Sequence, residues 1–240
     1  MTYLKKTLSQ AGNYTIELNR PDKHHALNTA MLKELTQTFT DAFADEAVNV
    51  IIIRAAGKVF CAGADLVEMQ QDPEALIEQI IGLLSVLRHK NKPIIVALNG
   101  HVYGGGSLLL GYADVIMATS SVSVIMPEIK SAIWPVFLMP VLKPHLPQAT
   151  LMYMAMTAEP LSAERAYALG WFSEVVKDDD QLNLSLKSMI DHYCQHSQAT
   201  LKLCYRCYQN DFNQDLSDDL LAQLGEQLLA LIRIRDLTTI

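Results

Sequence analysis

Pro93-Ile94-Ile95-Val96-Ala97-Leu98-Asn99-Gly100-His101-Val102-Tyr103-Gly104-Gly105-Gly106 is the stretch whose pattern decides the fold. Its first six residues are too apolar to face water, which marks a buried strand. The strand ends in a glycine-bearing loop, and a helix and then the strand Val115-Ile116-Met117-Ala118 follow. The same order stands upstream. The β-branched run Val48-Asn49-Val50-Ile51-Ile52-Ile53 leads into a loop of small residues, Gly57-Lys58-Val59-Phe60-Cys61-Ala62-Gly63-Ala64-Asp65, and a helical stretch from Asp72 to Arg88. Strand, glycine loop, helix and strand in that order are how α/β proteins set sites at strand ends. The first two thirds of the chain are therefore expected to be α/β.

Outward from this centre, Tyr14-Thr15-Ile16-Glu17-Leu18 alternates like a half-buried strand and closes on the turn Asn19-Arg20-Pro21-Asp22. From Asn28 to Phe43, Leu32, Leu35, Phe39 and Phe43 recur at helical spacing. After Pro147 the pattern turns helical, with an apolar stripe at Leu220, Leu224, Leu228 and Leu231. No repeat of fixed period and no low-complexity tract is visible.

The chain has 240 residues, half of them hydrophobic and 19% charged, enough for one large body with a tail. With 19 Lys and Arg against 26 Asp and Glu, the net charge of −7 repels a phosphate backbone, so nucleic-acid binding is disfavoured. A phosphate-bearing ligand would need a few local cations. The apolar stretches are broken by Asn99, Gly111 and Asp114, short of the ~20 residues of a membrane helix. The first residues, Met1-Thr2-Tyr3-Leu4-Lys5-Lys6, do not open a signal peptide, and the four cysteines form no disulfide framework. A cytoplasmic protein with reduced thiols is expected.

Gly104-Gly105-Gly106 before a helix presents backbone N–H groups to a ligand, but a tight turn with close helix packing would use the same residues. Neither a phosphate loop nor a dinucleotide fingerprint fits its spacing. Ala62-Gly63-Ala64-Asp65 is a second such loop. Two small-residue loops at the ends of neighbouring strands can aim one N–H each at a shared point, the geometry of an oxyanion hole. Glu128, in Met126-Pro127-Glu128-Ile129, is carried between apolar runs, where its pKa would rise and make it a proton shuttle; surface exposure is the plainer alternative. Cys194, His196, Cys204 and Cys207 have the types of a zinc set, though helical packing explains Cys204 and Cys207 without metal. His101 and Tyr103 flank the glycine loop as pocket or packing residues.

Taken in order, Leu18-Asn19-Arg20-Pro21, Ala26-Leu27-Asn28, Phe60 to Asp65, Asn99-Gly100 through Gly106, Asp114, Pro127-Glu128, Leu161 to Ala166 and Leu169-Gly170-Trp171 resemble the enoyl-CoA hydratase/isomerase (crotonase) family. The resemblance implies an α/β spiral of β-β-α units over residues 1–185. A C-terminal helical, oligomerising region over 186–240 follows, shorter than usual because the family's last helix is missing after Arg233-Ile234-Arg235-Asp236. It also implies homotrimers or hexamers acting on acyl-CoA thioesters, with coenzyme A as part of the substrate and no separate cofactor or metal. By the same resemblance the backbone N–H groups of Ala64 and Gly105 form the oxyanion hole. The coenzyme lies along Lys23, His25, Ala26, Leu27 and Ala62, with Arg20, Lys23 and Lys58 as local cations.

Two departures carry functional weight. The family's hydratases place a glutamate where this chain has Leu108, leaving Glu128 alone. Hydration needs one group to activate water and another to supply a proton, whereas moving a double bond from β,γ to α,β needs a single base. Isomerisation through Glu128 is the expected reaction. Hydration or decarboxylation with an unusual second residue, and a weakly catalytic acyl-CoA-binding protein, are the alternatives. The second departure is Val136-Phe137-Leu138-Met139-Pro140 in place of a Gly-Gly pair; Trp134 and Phe137, with Leu108, are expected to line an apolar acyl pocket, although core packing would use Trp134, Phe137, Leu138 and Met139 equally well.

Overall fold

The computed structural model describes residues 2–211, as two compact units divided between Met189 and Ile190. The first unit opens with strands β1 (Leu4–Leu8) and β2 (Asn13–Leu18) and helix α1 (Thr29–Ala44). Strands β3 (Val50–Ala55) and β4 (Val59–Cys61) lead to helices α2 (Leu66–Gln71) and α3 (Pro73–Leu87). Next come β5 (Ile94–Leu98), β6 (His101–Tyr103), a 3₁₀ turn over Gly104–Gly106 and α4 (Ser107–Gly111). Strands β7 (Val115–Thr119) and β8 (Ser123–Ile125) precede a second 3₁₀ turn, Glu128–Ser131, and helices α5 (Leu138–Leu142) and α6 (Gln148–Thr157). The short β9 (Leu161–Ser162), α7 (Ala163–Ala168) and β10 (Glu174–Val176) follow, and α8 (Asp179–Cys194) spans the division. In the second unit, α9 (Gln198–Asp211) is helical as expected, while Leu220, Leu224, Leu228 and Leu231 lie outside the described residues.

The strands build two sheets. The larger has the order β1-β2-β3-β5-β7-β10 and is parallel except for the β1–β2 pair. The smaller has the order β4-β6-β8-β9, parallel until β9. Successive strands alternate between them: β3, β5 and β7 enter the large sheet, and β4, β6 and β8 the small one. Each pair is followed by helix or helical turn. This is the β-β-α spiral, arising because β-branched runs buried on both faces form the large sheet while the strands of the small sheet, β4 and β6 of them close to glycines, extend only two or three residues.

The core lies between the large sheet and its helices. Ile51, Ile53, Ile94, Val96 and Leu98 are fully buried with Leu32, Leu35 and Phe39 of α1 and Leu76, Leu83 and Leu87 of α3. The caps are local: Asn28 accepts from the Met31 N–H to start α1, and Asp72, followed by Pro73, accepts from Ala75 to start α3.

The structure corrects the placement of the two glycine loops. They do not follow the long central strands β3 and β5, because β4 and β6 intervene inside what the sequence pattern reads as loop. Three residues are too few for a period of two to show. The edge strand β1 also escapes the pattern, since only Leu4 of its five residues is buried. Among the described residues no helix is long and apolar enough to cross a membrane.

Candidate functional site

Strands β4, β6 and β8 are parallel neighbours, with Cys61 opposite Val102 and Tyr103 opposite Ile125. Whatever follows each strand therefore emerges at one edge of the small sheet. Ala62 to Asp65 follows β4, Gly104 to Gly106 follows β6, and Met126-Pro127-Glu128 follows β8. Three segments distant in the chain meet there.

The first two meet through their backbones. A Cβ built on Gly105 would stand 3.3 Å from the Ala64 nitrogen, and one on Gly63 would stand 3.3 Å from the Gly105 nitrogen. Among the described residues neither the Ala64 nor the Gly105 N–H is spent in a backbone hydrogen bond. Two uncommitted donors thus lie side by side, which is what a developing oxyanion requires.

Each glycine of the triplet does a different thing. A Cβ on Gly104 would lie 2.5 Å from Glu128 Oε1, so the missing side chain is the space that the carboxylate occupies. Gly104 also has φ +45°, a left-handed conformation that glycine adopts without penalty. A Cβ on Gly106 would fall 2.7 Å from the Cys61 Cβ, so this position lets the start of α4 close on β4. The tight-packing and ligand-facing readings of the triplet are both realised, at different residues.

Glu128 begins its 3₁₀ turn mostly enclosed, and its Oε2 is buried with no hydrogen-bond partner among the described residues. Burial pushes its pKa up, only partly offset by the hydrogen bond from its own N–H. The plainer alternative, a solvated surface carboxylate, is not what the fold builds.

The Cys61–Asp65 loop is fastened to the segment before α1. Ala62 N–H donates to His24 O at 3.0 Å, Leu27 N–H to Gly63 O at 2.7 Å, and Asp65 N–H to Leu27 O at 2.9 Å. Arg20 Nη1 reaches Asp65 Oδ2 at 2.7 Å and donates to Ala26 O at 2.8 Å. Asp65 Oδ1 caps α2 through the Val67 and Glu68 N–H groups. Burial alone would raise the Asp65 pKa, but the Arg20 hydrogen bond, those two N–H groups and the guanidinium charge outweigh it and hold the carboxyl below its ordinary range.

A match to the family described as enoyl-CoA hydratase/isomerase spans residues 9–229. The chain belongs to that family. It is 30% identical over 190 residues to the 2,3-dehydroadipyl-CoA hydratase of Escherichia coli K12, covering 78% of this chain and 74% of that one. It is 26% identical over 238 residues to the zebrafish (Danio rerio) mitochondrial enoyl-CoA hydratase domain-containing protein 3, covering 97% and 82%. An enoyl-CoA hydratase structure from Mycobacterium smegmatis superposes with a TM-score of 0.87 at 24% identity, over 96% of this chain and 91% of that one, and shares its fold.

Within this enoyl-CoA hydratase/isomerase family member, the segments of Ala64, Gly105 and Glu128 meet at one edge of the small sheet, and the other residues singled out in the sequence lie as follows. Leu108 is 1% exposed inside the hydrophobic core, because α4 turns it away from solvent. Trp134 is 41% exposed and Phe137 is packed partly against the core. His25 faces inward: its Nδ1 accepts from the Arg20 N–H at 3.1 Å and its Nε2 stands 3.0 Å from Ala56 O, which requires the proton on Nε2. Burial lowers its pKa against that Ala56 bond, and its backbone is engaged too, the N–H donating to Arg20 O at 2.8 Å and the carbonyl accepting from the Cys61 thiol, so His25 is committed to the fold rather than to a ligand. Arg20 is likewise spent on Asp65, and Lys23 and Lys58 remain exposed.

His101 accepts from the Ser123 N–H and ties β6 to β8, a packing role. Cys61 is buried, its thiol pushed up to about 12 by burial. Among the described residues no group of three His, Cys, Asp or Glu side chains is placed to share a metal ion, Cys194, His196, Cys204 and Cys207 included. The sequence reading missed Leu66 and Val67, exposed directly after Asp65, and Ile129 and Ile133, exposed after Glu128. Their signal was proximity: apolar residues placed within five positions after Asp65 or Glu128.

Proposed function

We propose that the protein isomerises the double bond of an enoyl-CoA thioester with Glu128 as the only proton carrier. The observation that carries this is the pairing of a Glu128 carboxylate, set over Gly104 with its Oε2 buried and unpartnered among the described residues, with an apolar, core-buried Leu108 where a second carboxylate would have to stand. In the reaction, the Glu128 carboxylate removes a proton from C2 of a β,γ-enoyl thioester. The C–H electron pair moves toward the thioester, and the negative charge on its oxygen is received by the Ala64 and Gly105 N–H groups. Glu128, now a carboxylic acid, returns the proton at C4, and the electrons settle as a C2–C3 double bond. Nothing is oxidised and no water is consumed.

Burial supports both halves of the cycle. A pKa above the usual glutamate range brings the base closer to the acidity of the carbon it deprotonates and keeps its acid form accessible for the return. The carboxylates that follow Ala64 in the chain are engaged: Asp65 pairs with Arg20, and Glu68 Oε2 accepts the Thr29 N–H at 2.7 Å. Exposed Leu66, Val67, Ile129, Ile133 and Trp134 around the two loops favour an apolar acyl group. Lys23 and Lys58, exposed beside the Ala26–Leu27 segment and Ala62, are the groups for the coenzyme portion. The same reading carries a cytoplasmic homotrimer or hexamer.

The test is to offer trans-3-enoyl-CoA and crotonyl-CoA separately to the wild type and to Glu128→Gln. Conjugated product from the first, lost in the variant, is the expected result. Formation of 3-hydroxybutyryl-CoA from the second at a comparable rate would overturn single-base isomerisation in favour of hydration, the activity named in the relatives above.

A further inference from the structure

We propose that Arg20 is a positioning residue for the oxyanion-binding N–H of Ala64, acting through Asp65, rather than a cation for the coenzyme. The inference rests on the enolate chemistry above and extends it to a residue that does not touch the substrate.

Three observations meet at Arg20. Its guanidinium, 14% exposed, pairs with Asp65, 10% exposed, at 2.7 Å, so the contact is shielded from water and from salt. Asp65 is the residue directly after Ala64, and its second oxygen holds the start of α2 through two N–H groups. A shift of that carboxylate therefore rotates the peptide beside it. The same Nη1 also holds Ala26 O, and the Ala26–Leu27 segment is bonded to Gly63 O on the other side of Ala64.

The peptide N–H of Ala64 is thus bracketed. Gly63 is held by Leu27, Asp65 is held by Leu27 and Arg20, and the arginine spans both anchors. An oxyanion donor acts by being oriented before charge develops, so the bracket matters more for the enolate than for the ground-state thioester. A coenzyme phosphate drawing Arg20 toward solvent would compete with this pair and with the Ala26 bond made by the same Nη1. The low pKa of Asp65 agrees with a pair that stays formed at neutral pH.

The experiment compares two ligands on the full-length protein. Acetoacetyl-CoA ionises readily to a conjugated enolate whose near-ultraviolet absorbance reports charge in the oxyanion hole, and butyryl-CoA forms no such species. In Arg20→Met the enolate absorbance at saturation is expected to fall by about tenfold or more, while butyryl-CoA binding changes by less than about threefold. Arg20→Lys, which keeps a cationic donor, is expected to recover a substantial part of the signal. Should Arg20→Met fail to fold, Asp65→Asn serves, since its amide oxygen keeps the helix cap while the charge is lost. Equal weakening of both ligands would return Arg20 to coenzyme binding or to general stability and overturn the proposal, as would an unchanged absorbance. Absence of the absorbance in the wild type would instead sink the enolate reading on which the proposal rests.

Discussion

The two sides of the candidate site are held in opposite ways. The loop that carries Ala64 is bound by the hydrogen bonds of Ala62, Leu27 and Asp65 and by a shielded ion pair. Across from it, the Glu128 carboxylate has one oxygen over Gly104 and the other with no partner among the described residues. A backbone dipole contributes only by being fixed before the reaction, so everything around it is satisfied. A proton carrier needs a free lone pair and a raised affinity for the proton, so its surroundings leave it unsatisfied. The difference separates preorganisation from chemistry within one edge of a small sheet.

Glu128→Gln breaks the unsatisfied side most severely. Activity is expected to fall about 10²–10⁴-fold, the usual contribution of a general base. The sign of the stability change is opposite. A carboxyl whose folded pKa is raised contributes fully to stability below its unfolded pKa and loses that contribution as pH rises through the folded value. A neutral amide avoids the loss, so the variant is expected to melt higher than wild type near pH 8, with the gap closing in acid. In wild type, kcat/KM is expected to rise with pH on an acid limb set by Glu128, above the range of an ordinary glutamate. A variant that melted lower at every pH would show instead that Glu128 serves the fold.

Gly104→Ala attacks the same carboxylate from below. The new Cβ meets Oε1 at 2.5 Å, and displacing a base by about 1 Å costs on the order of 10²-fold in rate. Gly170→Ala is the matched control, with φ +79° and nothing within 4 Å of the added Cβ. Its left-handed strain should cost about 1–2 kcal/mol of stability with kcat/KM unchanged. If both variants lost only stability, the contact between Gly104 and Glu128 would be incidental.

The long strands and helices of this chain were legible because burial on both faces writes continuous β-branched runs and burial on one face writes helical spacing. The small sheet was not, since Val59-Phe60-Cys61 and His101-Val102-Tyr103 are strands only by virtue of pairing with each other and with β8. Glu128 was suggested by its apolar flanks and the two loops by their small residues, with Ala64 and Gly105 picked out within them by the family resemblance, while the register that joins them came from β4, β6 and β8. The Arg20–Asp65 pair was hidden for a related reason. Nothing local distinguishes an arginine that meets a phosphate from one that meets a distant aspartate.

Leu108 divides the apolar side of the site from the core. In Leu108→Ala a core position 1% exposed is expected to cost about 2–5 kcal/mol, measured by denaturant midpoint, with the acyl-chain preference of the folded enzyme unchanged. Little loss of stability together with an altered chain-length preference would move Leu108 back to the acyl pocket.

Trp134→Ala is the mildest test of the same boundary. At 41% exposure the indole covers little core, so stability should change by less than about 1 kcal/mol. Its neighbours Ile133 and Val136 are also exposed, and the three lie just beyond the turn that Glu128 begins. If these residues receive the acyl chain, truncating the indole removes contact area from long chains and none from short ones. KM should then rise by several-fold for a long-chain substrate and stay level for a four-carbon one, a difference of about 1 kcal/mol in binding. An equal rise for both would place Trp134 against the part of the substrate that all chain lengths share, and the apolar rim would then serve the coenzyme rather than the acyl group.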